Sequence, residues 1–460
     1  MISRRRFLSH SCSMGLAAAT LSSSVLQLGL ARHAAAQSAS DYRALVCVLL
    51  AGGNDSFNML VPFDTEHYDA YAGLRSDLAL PLTTLLPLAG ATADGRTHGL
   101  HPGMPELQTL YADGDAAIIA NVGTLLEAFD AQAVDNGSAR LPLGLFSHSD
   151  QINQWQTAIP NARVAQGWGG RIADMMQNVN LANGVSMNIS LSGTNVFQSG
   201  DTVAEYSVTP EGDGAAGINA YDDGTEFGVL RKRMVDELLA VSQQNIFRRE
   251  YSRRLSEAID AQTIFVDALQ TSPPLTTMFS NNPLSQSLRQ IARIIGARDA
   301  LGATRQTFFV NVGGWDHHDD VLENQAAMLP GISRGLKEFR DALVELAVFD
   351  KVTTFTTSDF GRTLTSNGKG SDHGWGGHHI VLGGSIDGGK MYGEYPVLSP
   401  TNPLDVGRGV YAPTTSVDEY FAELALWFGV APSELDQVLP NLRTFYSSQS
   451  GTAPLGFLRA

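Results

Sequence analysis

Histidines and aspartates are concentrated in one stretch of the chain, between Trp315 and His379. This stretch holds W-D-H-H from Trp315, S-D-F-G-R-T from Ser358 and D-H-G-W-G-G-H-H from Asp372, with five of the chain's 11 histidines. Carboxylate and imidazole groups bind divalent transition metals where thiolates are scarce, and the chain has only 2 cysteines. The pattern therefore favours an open aspartate–histidine metal site that keeps a position for water or substrate.

Three aspartates come soon after apolar runs that are typical of buried strands: Asp55, Asp316 and Asp359. The carboxyl ends of strands in an open α/β sheet form the edge where ligands bind, so separate strands would bring these carboxylates together. His318 lies two residues after Asp316 and would share its side of an extended segment. For Asp55 alone, an Asx turn or a helix cap is an equal alternative.

Ser147 and His148 follow a loop with glycine and proline and open a predicted helix. A hydroxyl at a helix N-terminus lies where backbone N–H groups and the helix dipole hold anions. With a metal that lowers its pKa, such a serine is the nucleophile of phosphate- and sulfate-ester hydrolases. The alternative is that Ser147 only caps the helix. His148 could be a metal ligand, an acid–base group or a solvated loop residue.

Arg362 follows Asp359 by three positions in a glycine-containing turn. A guanidinium there could hold a phosphate or sulfate oxygen through two hydrogen bonds. It could equally pair with Asp359 or another carboxylate.

Apolar runs alternate with helical patterns along most of the chain. The runs typical of strands are 44–50, 116–122, 307–312, 352–356 and 380–382. The helical patterns are 104–112, 150–157 continuing into 169–176, 321–347 and 416–428. This alternation predicts an α/β fold, with parallel strands buried between helices.

Residues 178–302 have a different character from the rest of the chain. Asparagine, serine, glycine and aspartate dominate 178–228, whereas 229–269 and 284–301 are strongly helical. We predict one domain over 42–448, with 178–302 as an insertion that carries a helical cap.

The N-terminus carries an export address. S-R-R-R-F-L from Ser3 precedes a serine-interrupted apolar stretch, and Ala34–Ala36 supply a small-residue cleavage site. We predict that residues 1–36 are a twin-arginine (Tat) signal peptide, with an uncleaved membrane anchor as the alternative. The predicted location is periplasmic or secreted.

The charge of the chain limits its partners. The formal net charge is −16, and removal of residues 1–36, which hold four arginines and no acid, would bring it to −20. Such an acidic surface argues against nucleic acid or an anionic membrane as a partner, while a bound metal can still attract an anionic substrate. After residue 36, no apolar stretch is long enough to span a bilayer.

Motifs in a fixed order resemble those of the exported bacterial family called domain-of-unknown-function 1501. They are L-A-G-G-N-D-S-F-N from Leu50, L-H-P-G-M from Leu100, F-S-H-S-D-Q from Phe146, G-G-W-D-H-H from Gly313, T-S-D-F-G-R-T from Thr357 and S-D-H-G-W-G-G-H-H-I-V-L-G-G from Ser371. The resemblance runs from residue 44 to about residue 445. That family is similar in fold to the alkaline phosphatase and sulfatase superfamily. The resemblance implies a mixed, mostly parallel sheet sandwiched between helices, with metals at its carboxyl edge.

The resemblance also implies roles for individual residues. It implies Ser147 as nucleophile, with Ser149 in reserve, and the metal ligands Asp55, Asp316, His318, Asp359 and His373. Two departures are visible: Asp359 is followed by Phe360 where the superfamily has histidine, and the interval from Asp316 to His318 is short. These departures put the second metal in question.

The sequence thus supports two functional hypotheses. The first is an exported hydrolase of a small-molecule or polymeric phosphate or sulfate ester, dependent on one or two divalent ions. Zinc is the expected metal, with calcium or manganese as alternatives. In this hypothesis His148 and Arg362 act beside Ser147, and His378 or His379 protonates the leaving group. The Tat translocase is the partner during export. The second is a non-catalytic binding or assembly protein that retains the hydrolase fold.

Overall fold

A computed structural model of the protein describes residues 41–459 except 91, 93–94, 130, 181–183, 213, 215–216, 219–220, 222 and 242–243. The predicted signal peptide, residues 1–36, lies outside the described residues. In chain order the strands are β1 Arg43–Leu50, β2 Leu60–Pro62, β3 Leu86–Pro87, β4 His98–Leu100, β5 Ala116–Gly123, β6 Asn188–Ser190, β7 Tyr206–Ser207, β8 Arg305–Val312, β9 Val352–Ser358, β10 Arg362–Ser366, β11 Ser371–His373, β12 Gly377–Leu382, β13 Met391–Tyr392 and β14 Thr415–Ser416.

The helices surround these strands. In chain order they are α1 Ser56–Met59, α2 Thr65–Arg75, α3 Pro105–Ala112, α4 Ala131–Asp135, α5 His148–Thr157, α6 Trp168–Met175, α7 Glu226–Ala240, α8 Ile246–Gln270, α9 Pro283–Gly296, α10 Val321–Glu345, α11 Val417–Phe428 and α12 Leu435–Val438.

Within the described part of the chain, nine strands form one mixed sheet. Its order is β13-β5-β12-β9-β1-β8-β6-β7, with β14 also paired to β5. β1 lies at the centre and pairs in parallel with β8 and β9. β12 is antiparallel to both β9 and β5. The carboxyl ends of β1, β8 and β9 therefore meet at one edge.

Both faces of the sheet are covered by helices, as the apolar run 44–50 of β1 requires. Leu45, Cys47 and Leu49 point to one face, where they join a buried cluster with residues of α5, α6, α11 and α12. The intervening residues Val46 and Val48 are also fully buried and point to the opposite face. On that side α9 packs on β8 and α10, and α10 packs on α3.

The predicted fold class is confirmed. The chain forms a mixed, mostly parallel sheet between helical layers, and a strand lies at each of the five apolar runs. The sequence pattern could not predict that β12 is antiparallel. A short, fully buried apolar run looks the same in a parallel and in an antiparallel strand.

The region predicted as an insertion, 178–302, contributes to the main body. β6 and β7 extend the central sheet beyond β8, and nine side chains of α9 are buried. α7 and the first half of α8 are mostly exposed. The cap-like part is therefore narrower than the predicted range.

None of the helices among the described residues is both long and apolar enough to cross a bilayer.

Candidate metal centre

Three separate segments bring histidines and an aspartate together at the carboxyl edge of the sheet. Asp316 and His318 follow the end of β8, His373 closes β11, and His148 is the first residue of α5. In the described chain, His148, Asp316 and His373 form the group of side chains whose potential ligand atoms all lie within 4.8 Å of one another. The predicted convergence of residues distant in sequence therefore occurs.

The distances between these atoms fit one cation. Asp316 Oδ1 is 3.1 Å from His318 Nε2 and 3.3 Å from His373 Nε2. Asp316 Oδ2 is 3.4 Å from His148 Nε2, and the Nε2 atoms of His318 and His373 are 2.9 Å apart. Ligand atoms at the usual bond lengths of a tetrahedral zinc ion are separated by about 3.3 Å. His318 lies outside the group whose ligand atoms are all within 4.8 Å of one another, but its Nε2 adjoins both Asp316 and His373, and we infer that it is the fourth ligand.

Each imidazole is oriented by a hydrogen bond from its other nitrogen. His148 Nδ1 is 2.7 Å from Asp359 Oδ2, and His373 Nδ1 is 2.7 Å from the carbonyl oxygen of Phe146. His318 Nδ1 is 3.3 Å from Asp372 Oδ1. Carbonyl and carboxylate oxygens only accept, so each Nδ1 carries the proton. Metal-binding histidines are characteristically supported in this way.

These tautomers leave three Nε2 lone pairs facing one another and a carboxylate. His148 Nε2 is buried and has no hydrogen-bond partner. Burial lowers the pKa of His373, which favours its neutral form. Neutral imidazoles with lone pairs turned inward repel one another unless a cation lies between them. The donor set therefore fits a bound divalent metal.

Arg362 contacts the centre through Asp316. Its side chain is buried and donates to the carbonyl oxygens of Gly52, Gly53, Trp315 and Ser371, and also to Asp316 Oδ1. Burial acts to raise the pKa of Asp316, but the hydrogen bond and charge of Arg362 outweigh it and lower that pKa. Arg362 thus positions Asp316 through its Nη2 group, and its role as an anion clamp stays a prediction.

Asp359 supports a ligand and is not itself in the ligand group. Its Oδ2 accepts from His148 and its Oδ1 accepts from the N–H of Gly52 at 3.0 Å. Burial raises the pKa of Asp359. The predicted ligand role is therefore corrected to orientation of His148.

Asp55 is occupied elsewhere. Its side chain is fully buried and forms an ion pair with Arg75, a residue of α2 that is also fully buried. Arg75 further donates to Asn58 and to the carbonyl oxygens of Thr363 and Leu364. Asp55 is absent from the ligand group found in the described residues. The ion pair with Arg75 favours a structural role for Asp55, whose Oδ1 has no hydrogen-bond partner, and its ligand role stays a prediction.

His378 lies in an aromatic pocket. Its ring stacks on Tyr395 with centroids 4.5 Å apart and meets the edge of Phe57 at 5.1 Å. Its Nδ1 accepts from the N–H of Asn121 at 3.1 Å. Burial holds the pKa of His378 well below its ordinary value. His378 is only 1% exposed, so the predicted proton donation to a leaving group is corrected to a structural role. His379 is likewise buried against Trp155.

Ser147 occupies the predicted position at the N-terminus of α5. It is the N-cap residue, yet its hydroxyl makes no capping bond to the helix backbone. Ser147 Oγ lies 3.3 Å from Ser149 Oγ. The partly exposed hydroxyl stands between Phe146, whose carbonyl orients His373, and the ligand His148.

A family model described as "Protein of unknown function (DUF1501)" matches residues 42–437. The chain belongs to the DUF1501 family. No curated protein matches it in sequence.

Solved structures similar to this DUF1501 chain share little sequence with it. The soluble domain of lipooligosaccharide phosphoethanolamine transferase A from Neisseria meningitidis is 8% identical, with a TM-score of 0.33 over 92% of this chain and 94% of that one. The sulfatase PsFucS1 from Pseudoalteromonas sp. is 8% identical, with a TM-score of 0.33 over 87% and 72%. The periplasmic domain of EptC from Escherichia coli, in complex with Zn, is 12% identical, with a TM-score of 0.30 over 85% and 83%. At such identities the likeness concerns the fold alone.

The DUF1501 motifs also contain supporting groups that the sequence did not reveal. Asp372 accepts from Arg408 and Asn367, and the Asn367 hydrogen bond is the main cause that lowers its pKa to about 2. Asp372 directly precedes His373 in the sequence, and this position could have identified it as a supporting group. Phe146 acts through its backbone carbonyl and has a φ of 72°, which no side-chain pattern predicts. Arg408 lies outside every motif.

Proposed function

We propose that this DUF1501 protein is an exported, metal-dependent hydrolase of a phosphate or sulfate ester, with Ser147 as its nucleophile. The observation that carries the proposal is the convergence of three oriented imidazoles and Asp316 at the start of α5, where Ser147 is the N-cap residue. A divalent ion at this centre would polarise an ester oxygen and lower the pKa of a nearby hydroxyl.

The donor set bears on the identity of the metal. Three imidazole nitrogens and one carboxylate oxygen suit zinc, and manganese is the second choice. Calcium prefers six to eight oxygen ligands, so this set disfavours it. The set supports one ion, because Asp55 and Asp359 are engaged by Arg75 and His148.

In this proposal Ser147 attacks an anionic ester. The N–H groups of the first turn of α5 and the helix dipole favour an anion at this end. Asp150 in the same turn is held by Arg163 at 2.5 Å and 3.0 Å. In the proposed reaction the Ser147 oxygen bonds to phosphorus or sulfur as the ester bond to the leaving group breaks. Water then releases the acid from Ser147.

Hydrolysis of 4-nitrophenyl phosphate and 4-nitrophenyl sulfate by zinc-loaded protein tests the proposal. We expect turnover by the native protein, and loss of turnover in Asp316→Ala with the fold retained. If Asp316→Ala hydrolyses both esters as well as the native protein does, the proposal is wrong.

A non-catalytic binding protein is the second candidate. The burial of His378 favours it, because this residue loses its predicted role with the substrate. Stable binding of one zinc ion without turnover of a broad ester panel would support this second function.

We also propose that the Tat pathway exports the protein to the periplasm or beyond. The basis is the twin arginine before Phe7-Leu8. Replacement of Arg4, Arg5 and Arg6 by lysine should retain the protein in the cytoplasm, as fractionation would show. Export that continues unchanged would contradict this assignment.

A further inference from the structure

Helix α7 carries an apolar stripe that the described structure leaves exposed. Of the 15 residues of α7, only Gly228 is buried. Phe227, Leu230, Met234 and Leu238, together with Val241 just beyond the helix, are between 53% and 66% exposed. Helices in proteins are stabilised mainly by packing of their apolar face, so this stripe requires a partner.

The spacing of the stripe is that of paired helices. Successive members are three, four, four and three residues apart. The mean of these four intervals is about 3.5 residues, the period at which one helix packs along another. The neighbouring helix α8 adds Phe247 and Tyr251, which are also exposed.

The stripe is also symmetric about Met234. An antiparallel copy of α7, related by a two-fold axis at Met234, would place Leu230 opposite Leu238 of the second copy. The same axis would place Phe227 opposite Val241 of the second copy. Interfaces of two-fold dimers are self-complementary in this way.

The charges on α7 agree with the same axis. Arg233 and Glu237 form an ion pair within α7 at 2.9 Å. In the antiparallel arrangement Arg233 lies on the same side of the seam as Glu237 of the second copy, and symmetry repeats the pair. Opposite charges beside an apolar seam set the orientation of paired helices.

We infer that α7 is a homodimerisation helix, which packs antiparallel against α7 of a second copy. A membrane surface is the less suitable occupant, because acidic residues alternate with basic ones on α7 and α8, as in the pairs Lys232–Asp236 and Arg253–Glu257. Helices that lie on membranes have a polar face dominated by lysine and arginine. The net charge of −16 also opposes binding to anionic lipid.

Sedimentation velocity of the full-length mature protein tests this inference. We expect a dimer, and at least about 30-fold weaker association after Leu230→Glu with Leu238→Glu, because both changes fall in the seam. Met278→Glu is the matched control, since Met278 is 85% exposed and lies outside α7. Circular dichroism verifies that each variant remains folded.

Two further experiments test the antiparallel arrangement of the two α7 helices. Met234→Cys should cross-link to itself in a second copy, whereas Val344→Cys, on the exposed side of α10, should not. The native Cys47 is buried and leaves little background. Arg233→Glu and Glu237→Arg should each weaken self-association, and an equal mixture of the two should restore a dimer.

The inference is overturned if the native protein is monomeric across a wide concentration range. It is also overturned if Met234→Cys cross-links no faster than Val344→Cys. A third outcome is that monomeric protein binds phosphatidylglycerol vesicles and loses this binding in the Leu230→Glu, Leu238→Glu variant. That result would show that the stripe on α7 binds a membrane and not a second copy. None of these outcomes depends on metal binding or ester hydrolysis.

Discussion

His318 Nε2 lies 2.9 Å from His373 Nε2. The Nδ1–H of His318 donates to Asp372, and the Nδ1–H of His373 donates to the carbonyl oxygen of Phe146. The two atoms therefore face each other as lone pairs when both rings are neutral. A shared cation removes this repulsion, whereas a shared proton would require one ring to be charged. This relationship is the geometric basis of the proposed metal centre.

Replacement of Asp359 by asparagine should weaken zinc binding about 10–100-fold without abolishing it. The reason is that Asp359 Oδ2 accepts from His148 Nδ1 and thereby orients a ligand. Calorimetric titration of chelator-treated protein gives the affinity. Asp64→Asn is the control, because Asp64 makes a similar contact with His67 at 2.6 Å on the surface. Equal loss of affinity in the two variants would contradict the assigned role.

Ser147→Ala should abolish ester turnover and leave the zinc content unchanged. The hydroxyl is the proposed nucleophile, and the proposed zinc ligands are imidazoles and the carboxylate of Asp316. Ser149→Ala is the matched control, with its hydroxyl 3.3 Å away on the same turn. Turnover and metal content of both variants are to be compared. If Ser149→Ala loses activity and Ser147→Ala keeps it, the nucleophile is misassigned.

Arg75→Met should destabilise the protein by about 3–5 kcal/mol, because it leaves the buried carboxylate of Asp55 unpaired. The zinc content of the folded protein should not change, since Asp55 is assigned a structural role. Arg140→Met, which breaks an exposed pair with Glu127, should cost at most about 1 kcal/mol. Urea unfolding measures both. Loss of zinc from folded Arg75→Met would return Asp55 to the metal centre.

Because of Asp418, the free energy of unfolding should fall as the pH rises from about 4 to about 7. Burial raises its pKa to about 7, whereas an unfolded aspartate titrates near 3.9. The native state thus binds the proton more tightly, and the stability contributed by the neutral carboxyl is lost above the folded pKa, by up to about 4 kcal/mol.

Asp418→Asn keeps a neutral group and should remove this dependence. Its stability relative to the native protein should be similar near pH 4 and several kcal/mol higher near pH 8, by an upper estimate of about 4 kcal/mol. Asp299→Asn, at a side chain that is 92% exposed, should show no such trend. If the free energies of unfolding of Asp418→Asn and the native protein differ by the same amount at all pH values, the raised pKa assigned to Asp418 is wrong.

The sequence predicts much of the fold and part of the centre. The apolar run of β1 and the helical period of α11 are local signals, and both elements lie where they were expected. Asp316 and His318 could be predicted because strand ends meet at one edge of a sheet, whereas His373 was predicted only through the family resemblance. Ser147 was predicted from its position at a helix N-terminus, and the role of His148 was left open.

The remaining roles depend on contacts between distant segments. Arg75 neutralises Asp55 from 20 residues away, and nothing in its helix marks it as a partner. Arg362 donates to the carbonyl oxygens of Gly52 and Gly53, whose approach becomes visible only in the fold. The role of a backbone group such as the Phe146 carbonyl cannot be predicted from residue types, because every residue has a carbonyl.

Zinc K-edge X-ray absorption of the mature protein tests the central claim most directly. The account predicts about one zinc per chain, bound by three imidazole nitrogens and one oxygen at about 2.0–2.1 Å, with one imidazole lost in His318→Ala. A spectrum that is identical in the native protein and His318→Ala, or a chain that binds no metal at all, would contradict it.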